Sequence, residues 1–391
     1  PVLDTWAQAT GITAKAGSIN TVTISEINYI VQHKLRLWFI TKNANHAWYL
    51  PIRASQGEAT EFFFAQKFKH GGSLVGLYNW TVDGGNGRDD NLVAIGRGGD
   101  VIPWTGEDPA DDMTWSSTGT FFIGTVPRGN RIATEYGGEL FMLSTLGVIT
   151  MSDLLKGGNP NDPFRDNIGY RTARLLRQDM DQYQFVHGWS LDFITSTGQL
   201  MIQTPQRIDD SYRQYVYNLS TSGWGLWRDV PMLCSETWDG KLMVGTKDGR
   251  VLRMDVNADE VDIAGSTQTA ITWFLLTSYL DMGQPGHFKR CAFIRPNFLS
   301  NIKPQFSTTA YYDYRTNIPL PESAGSSPEG DLWDVGLWDQ AMWASDQPLP
   351  SSRTQGASGI GRTIAVGLNG SSYEDTFLAS IDVMWNTGGM L

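Results

Sequence analysis

Apolar and polar positions alternate along this chain in many short runs, and most of the runs have the period of two that belongs to strands. Leu35 to Ile40 (LRLWFI) predicts a strand, and Ala47 to Ile52 (AWYLPI) its hairpin partner across a turn at Asn43 to Asn45. Leu92, Val93 and Ile95 lead into Gly98-Gly99, after which Val101, Ile102 and Trp104 resume the apolar run. Tyr136 is followed by Gly137-Gly138, then by Leu140, Phe141, Met142 and Leu143, a second turn at Gly147, and a strand through Val148, Ile149 and Met151. Gly-Gly supplies the positive φ that tight hairpins need, so residues 91–155 predict a β-meander.

The same pattern returns after Gly188. WSLDFITSTGQLMIQTP turns at Gly198, and SETWDGKLMVGTKDGRVLRMD turns at Asp239-Gly240 and Asp248-Gly249, where Asp-Gly is a strong hairpin signal. Turns of one kind recur about 40 residues apart, close to the roughly 40–50-residue period of a four-stranded propeller blade. One stretch breaks the pattern. Asp162-Pro163 opens a predicted helix from about Arg165 to Gln184, with Ile168, Leu175, Leu176, Met180 and Tyr183 at helical spacing and Arg171, Arg174 and Arg177 on a solvated or partner-facing side. The expected fold class is mainly β: a β-propeller-like body of antiparallel meanders over 1–281, with a helical insertion at about 162–186, and a C-terminal β-rich region over 282–391. The first twenty or so residues read as an arm or an edge strand.

Composition sharpens this. Only 18% of the 391 residues are charged, while 42 are Gly and 15 are Trp, which favours many short strands and turns over helical bundles. A net charge of −11 lacks the electrostatic footprint of a nucleic-acid binder. Cys234 and Cys291 lie in apolar contexts, too few for a disulfide framework, and read as buried thiols. The N-terminus lacks the features of a secretory signal, and no stretch reaches the roughly 20 apolar residues of a membrane span, so a soluble chain made in a reducing compartment is expected.

Candidate chemistry is sparse. Asp83, Asn86, Asp89 and Asp90 crowd around glycines in TVDGGNGRDDN, but the spacing departs from a calcium loop and reads as an Asx-rich connector. Phe62, Phe63, Phe64 and Phe68 read as core. The five histidines, His33, His46, His70, His187 and His287, have no ligand partner at metal spacing, and no serine sits in a nucleophile motif. No catalytic, cofactor-binding or metal-binding residue is therefore expected. Paired carboxylates roughly 5–10 Å apart in a cleft would be needed for glycoside hydrolysis, and the sequence singles out no pair among 41 acidic residues. Trp333, Trp338 and Trp343 recur every five residues, a spacing that fits neither a strand face nor a helix stripe. Asp334 and Asp339 are placed to cap local turns, and the tryptophans read either as stacking on the sheet, as a subunit-interface anchor, or as a sugar platform.

Several stretches in fixed order resemble the tail nozzle (tail hub) proteins of short-tailed bacteriophages. They are WYLPI, FKHGGSLVGLYNWTVDGGNGRDDN, AIGRGGDVIPWTGEDP, FFIGTVPRGNR, YGGELFMLSTLGVITMS, QYVYNLSTSGWGLWRD, LMVGTKDGRVLRMD, TWFLLTSYLDMGQPGHFKRCAFIRPNF and WDVGLWDQAMW, covering the chain from about Trp48 to its end. The resemblance implies a structural virion protein, made in the host cytoplasm, of which six copies form a ring below the portal and adaptor. It further implies contacts with tail fibre or tail tip proteins, and a lumen through which DNA passes without specific binding. The negative charge suits such a lumen, since it repels phosphates. The alternative from another class is a propeller-type tail protein that binds or hydrolyses host-surface glycan; a third is a receptor binder using exposed tryptophans.

Overall fold

The computed structural model describes residues 3–7, 11–15, 19–83, 88–156, 168, 173–254, 259–260, 268–300, 304–316, 349–372 and 376–390. The protein is mainly β, built of antiparallel sheets apart from one short parallel pair, Ile19–Asn20 with Gly57–Glu58, and with two α-helices among the described residues. It divides into two compact units, residues 1–254 and 255–391. The sequence reading sets the division at 281. The difference lies in Ile271–Leu276, whose backbone pairs with Ile364–Ser372 of the second unit.

In the first unit a two-stranded ribbon, Leu3–Ala7 with Gly11–Lys15, precedes five meander sheets. The first sheet has β1 (Ile27–His33), β2 (Arg36–Thr41), β3 (His46–Tyr49) and β4 (Thr60–Phe63). The second has β5 (Leu74–Asp83), β6 (Arg88–Gly96) and β7 (Asp100–Thr105), with the short strands Ser116–Ser117 and Phe121–Phe122 on the outer edge of β7. The third has β8 (Ala133–Tyr136), β9 (Glu139–Ser144) and β10 (Gly147–Thr150). The fourth has β11 (Ser190–Ile194), β12 (Gln199–Gln203), β13 (Arg213–Asn218) and β14 (Gly223–Arg228), and the fifth has β15 (Met232–Trp238), β16 (Lys241–Thr246) and β17 (Val251–Arg253). In every sheet the strand order is the sequence order.

The middle strands explain why the sheets lie against one another. A strand covered on both faces reads as an unbroken apolar run, and its alternate side chains enter different cores. In β6, Leu92 and Ala94 pack against the first sheet, while Val93 and Ile95 pack against the third. Leu140 and Met142 of β9 face the second sheet, and Phe141 and Leu143 face the fourth. Leu200 and Ile202 of β12 face the third sheet, and Met201 faces the fifth. Each fully buried Leu or Ile contributes about 1.5–3 kcal/mol. The expected phenylalanine core holds for Phe64, with Phe62 and Phe68 packed against it, while Phe63 is exposed.

One local reading is corrected. The strand expected to run through Met151 stops at Thr150, whose Oγ1 accepts the Asp153 N–H at 3.3 Å and caps a short helix, α1 (Met151–Leu155). Met151 and Leu154 are buried by that turn. The second helix, α2 (Ala173–Tyr183), lies inside the expected helical stretch and buries Leu176, Met180 and Tyr183 against the third and fourth sheets. Arg174 and Arg177 are exposed on it; Asp162-Pro163, Arg165 and Arg171 lie outside the described residues.

The second unit packs two sheets face to face. One has β18 (Ile271–Leu276), β20 (Gln305–Tyr312) and β21 (Ile364–Ser372), with β21 in the middle. In the other, β19 (His287–Ser300) pairs with β22 (Thr376–Met390) on one side and with Leu349–Ser352 and Gln355–Gly356 on the other. Cys291, Ile294 and Phe298 meet Phe306, Val366 and Leu368 between the sheets. Cys291 is buried as expected; Cys234, on the edge strand β15, is exposed, which corrects the reading of both thiols as buried. Lys289 is fully buried, its ammonium donating to the carbonyls of Gln284, His287 and Arg362 at 2.6, 3.0 and 2.8 Å.

Candidate functional site where the first strands of the sheets meet

The first strand of each sheet lies beside the first strand of the next, in the succession β1, β5, β8, β11, β15. Their polar side chains therefore meet, and Arg131, just before β8, stands among them. Arg131 Nη1 donates to the Ser235 carbonyl at 2.7 Å and lies 3.7 Å from Asp192 Oδ1, while Nη2 pairs with Glu236. Asp192 Oδ2 accepts the hydroxyls of Ser190 at 2.7 Å and Ser235 at 2.8 Å. One guanidinium thus joins the third, fourth and fifth sheets. On its other side the Tyr29 and Tyr78 rings lie 5.7 Å apart, Tyr78 Oη donates to the Asn130 carbonyl at 3.1 Å, and the same oxygen accepts the Ile132 N–H at 3.0 Å. Asn28 Nδ2 donates to Asn130 Oδ1 at 3.2 Å, completing the link to β1.

The backbone comes close here because a glycine permits it. A Cβ on Gly129 would stand 1.8 Å from the Trp189 carbonyl oxygen, so no side chain fits without moving the main chain. Arg128 N donates to the Gln184 carbonyl at 2.8 Å, and the Arg128 carbonyl accepts from Gly188 and Trp189 at 3.2 Å.

Burial dominates the electrostatics. It pushes Tyr29 up to about 12 and Tyr78 well above the usual tyrosine range. Asp192 is raised by burial, with the two serine hydroxyls and Arg131 pulling the other way. Burial lowers Arg131, but the bond to Glu236 and the charge of Asp192 outweigh it and leave the guanidinium raised. Glu135 of β8 is exposed at the surface yet crowded by protein, and this desolvation, with the charge of Asp90 adding to it, pushes its carboxyl up to about 7. Chemically the junction is a clamp. Both Asp192 oxygens face donors and both terminal nitrogens of Arg131 face acceptors.

A second charged cluster fixes α2. Buried Asp179 accepts Arg207 Nη1 at 2.6 Å, Arg213 Nη1 at 3.0 and 3.2 Å on its two oxygens, and the Tyr215 hydroxyl at 2.6 Å.

The sequence expectations are distributed unevenly over these sites. Trp333, Trp338 and Trp343 lie outside the described residues. So do residues 84–87 of the Asx-rich connector; Asp90 beside it accepts the Thr81 hydroxyl at 2.8 Å. Among the histidines, His33 Nδ1 pairs with Asn79 Oδ1 at 2.7 Å, and His70 Nδ1 donates to the fully buried Asp100 at 2.7 Å. Among the described residues no three His, Cys, Asp or Glu side chains are grouped to hold a metal ion, and no helix is long and apolar enough to cross a membrane. Arg131, Asp192, Glu236 and Asp179 are the residues the sequence reading passed over. Arg131 ends the quoted stretch FFIGTVPRGNR, and Asp192 interrupts the apolar run WSLDFI, the one local signal each carried.

No protein-family model matches this chain, and no curated protein does. Among solved structures, the complex of the fission yeast SREBP-SCAP binding domains is similar at 11% identity over 61% of each chain, with a TM-score of 0.27, a likeness that carries no argument about function.

Proposed function

We propose that this chain is a structural component of a short-tailed phage tail: a ring-forming nozzle below the portal and adaptor, with the first unit as a propeller-like body. The supporting observation is a division between the two units. In the first, polar groups on adjoining first strands are bound to one another through Arg131, Asp192, Ser235 and Glu236. In the second, two exposed apolar pairs, Phe293 beside Met384 and Leu299 beside Phe377, stand on one face of β19 and β22 on either side of the Arg295–Asp382 ion pair. Apolar pairs flanking an ion pair suit lateral contact between rigid bodies. The number of copies, the adaptor, portal and fibre or tip neighbours, and the passage of DNA come from the resemblance in the nine quoted stretches, and the net charge of −11 suits a passage that does not hold phosphates.

The test is to mix the purified chain with the tail's adaptor ring and measure mass and symmetry by light scattering and negative-stain imaging. A six-fold ring, alone or on the adaptor, is expected. A monomer or trimer that ignores the adaptor and binds or cleaves cell-surface glycan overturns the reading. If the lumen is acidic as proposed, replacing its carboxylates by lysine slows genome ejection in reconstituted particles, and an unchanged rate removes the electrostatic part.

A further inference from the structure

The three-stranded sheet of the second unit has two edges, and they are finished differently. In β20, Gln305, Ser307, Thr309 and Tyr311 turn their backbone groups toward β21, which leaves those of Phe306 and Thr308 pointing out. Gln355 closes that edge. Its Oε1 accepts the Thr308 N–H at 2.7 Å, and its Nε2 donates to the Phe306 carbonyl at 3.2 Å, so a side-chain amide stands where a fourth strand would bond.

Among the described residues the β18 edge has no such plug. Thr277 N donates to the Val366 carbonyl at 2.9 Å, and alternation from there turns Ile271, Trp273 and Leu275 toward β21 and Thr272, Phe274 and Leu276 outward. Among the described residues nothing hydrogen-bonds to those outward backbone groups. Gln268–Thr269 just before the strand pair with Asp259–Glu260, but from Ala270 to Leu280 no Asp, Glu, Lys or Arg occurs, so the strand itself carries no edge charge. Phe274 and Leu276 remain 37% and 38% exposed.

We propose that β18 pairs with β18 of a second copy of this chain, antiparallel about a twofold axis through Phe274. The occupant follows from the two edges. With β20 blocked by Gln355, one copy cannot add its β20 to the β18 of the next, so within this sheet like against like is the pairing left open. An uncharged strand can lie against itself with no like charges opposed. Centred on Phe274, Thr272 of each copy faces Leu276 of the other, the outward backbone groups form about six hydrogen bonds, and the two Phe274 rings meet as a cross-strand pair. Neighbours in a six-fold ring are never related by a twofold axis, so this contact goes beyond the ring proposed above and either can fail alone.

The experiment is light scattering of the full chain over a concentration series, with Phe274→Pro and Phe274→Lys beside it. Proline removes only an N–H that β21 does not use, and lysine restores an edge guard. The parent mass should rise toward twice the 43.4 kDa of one chain as concentration increases. Both variants should dissociate at least tenfold more readily with unchanged circular dichroism. A parent that keeps one mass over the whole range, or a dimer or larger assembly that the folded variants retain, overturns the proposal. If the proline variant fails to fold, the lysine variant alone decides.

Discussion

Replacing Asp179 by alanine tests whether α2 is held to the fourth sheet by charge. The carboxylate is 3% exposed and accepts from two arginines and a tyrosine. Its removal leaves the buried Tyr215 O–H without its acceptor, with only the donor Arg213 beside it, costing about 1–3 kcal/mol. Arg207 and Arg213 keep 18% and 22% of their side-chain surface in water, so they rehydrate in part and place the total near the lower end of the 3–5 kcal/mol range for breaking a buried pair, at about 3 kcal/mol. For a unit of this size that lowers Tm by about 6–12 °C. Asp179→Asn keeps the shape and one acceptor and should lose about half as much, while Tyr215→Phe should lose about 1 kcal/mol. Urea unfolding followed by tryptophan fluorescence gives all three, and the double variant gives the coupling between Asp179 and Tyr215. A loss under about 1 kcal/mol for the alanine variant would show that apolar packing of Leu176 and Met180 alone holds the helix.

Three further outcomes follow from single groups. Glu135 has its carboxyl raised to about 7 in the folded chain, so its favourable contribution is complete below the ordinary glutamate range and is lost as pH rises toward 7; Glu135→Gln should raise stability by about 1 kcal/mol at pH 8, after allowing for solvent screening, and change nothing at pH 4. Thermal melts at the two pH values read this, and an equal effect at both refutes it. Lys289→Met removes the donor shared by three carbonyls and should cost about 2–4 kcal/mol in the second unit, measured by urea unfolding, with a neutral result showing that water replaces the ammonium. Cys234 should react with a maleimide in the native protein, whereas Cys291, buried and with its thiol pushed up by burial, should react only after unfolding, as mass spectrometry of the labelled chain would show.

The sheets were legible in the sequence because both of their signals are local. Hairpin glycines and Asp-Gly pairs fix turns within a few residues, and the turns at Gly98-Gly99, Gly198, Asp239-Gly240 and Asp248-Gly249 all join neighbouring strands. What stayed hidden depends on distant residues. Arg131 and Glu236 are 105 positions apart, and nothing in either neighbourhood marks them as partners. Asp179 lies among exposed arginines on α2, so helical spacing alone cannot distinguish it from a solvated carboxylate. The capped turn at Thr150 was lost to the strong β pattern before it, and Cys234 was misjudged because an apolar neighbourhood does not say which edge of a sheet faces water.

Because each middle strand divides its side chains between two cores, no interior sheet of the first unit can open without uncovering both of its neighbours. Opening is cheapest at the ends of the row, where the fifth sheet shares a core with the fourth alone. Amide hydrogen exchange should therefore advance inward from β16 and β17 and reach β6, β9 and β12 last. The same linkage distributes mechanical load: a force applied to an interior hairpin is passed to the sheets on both of its sides.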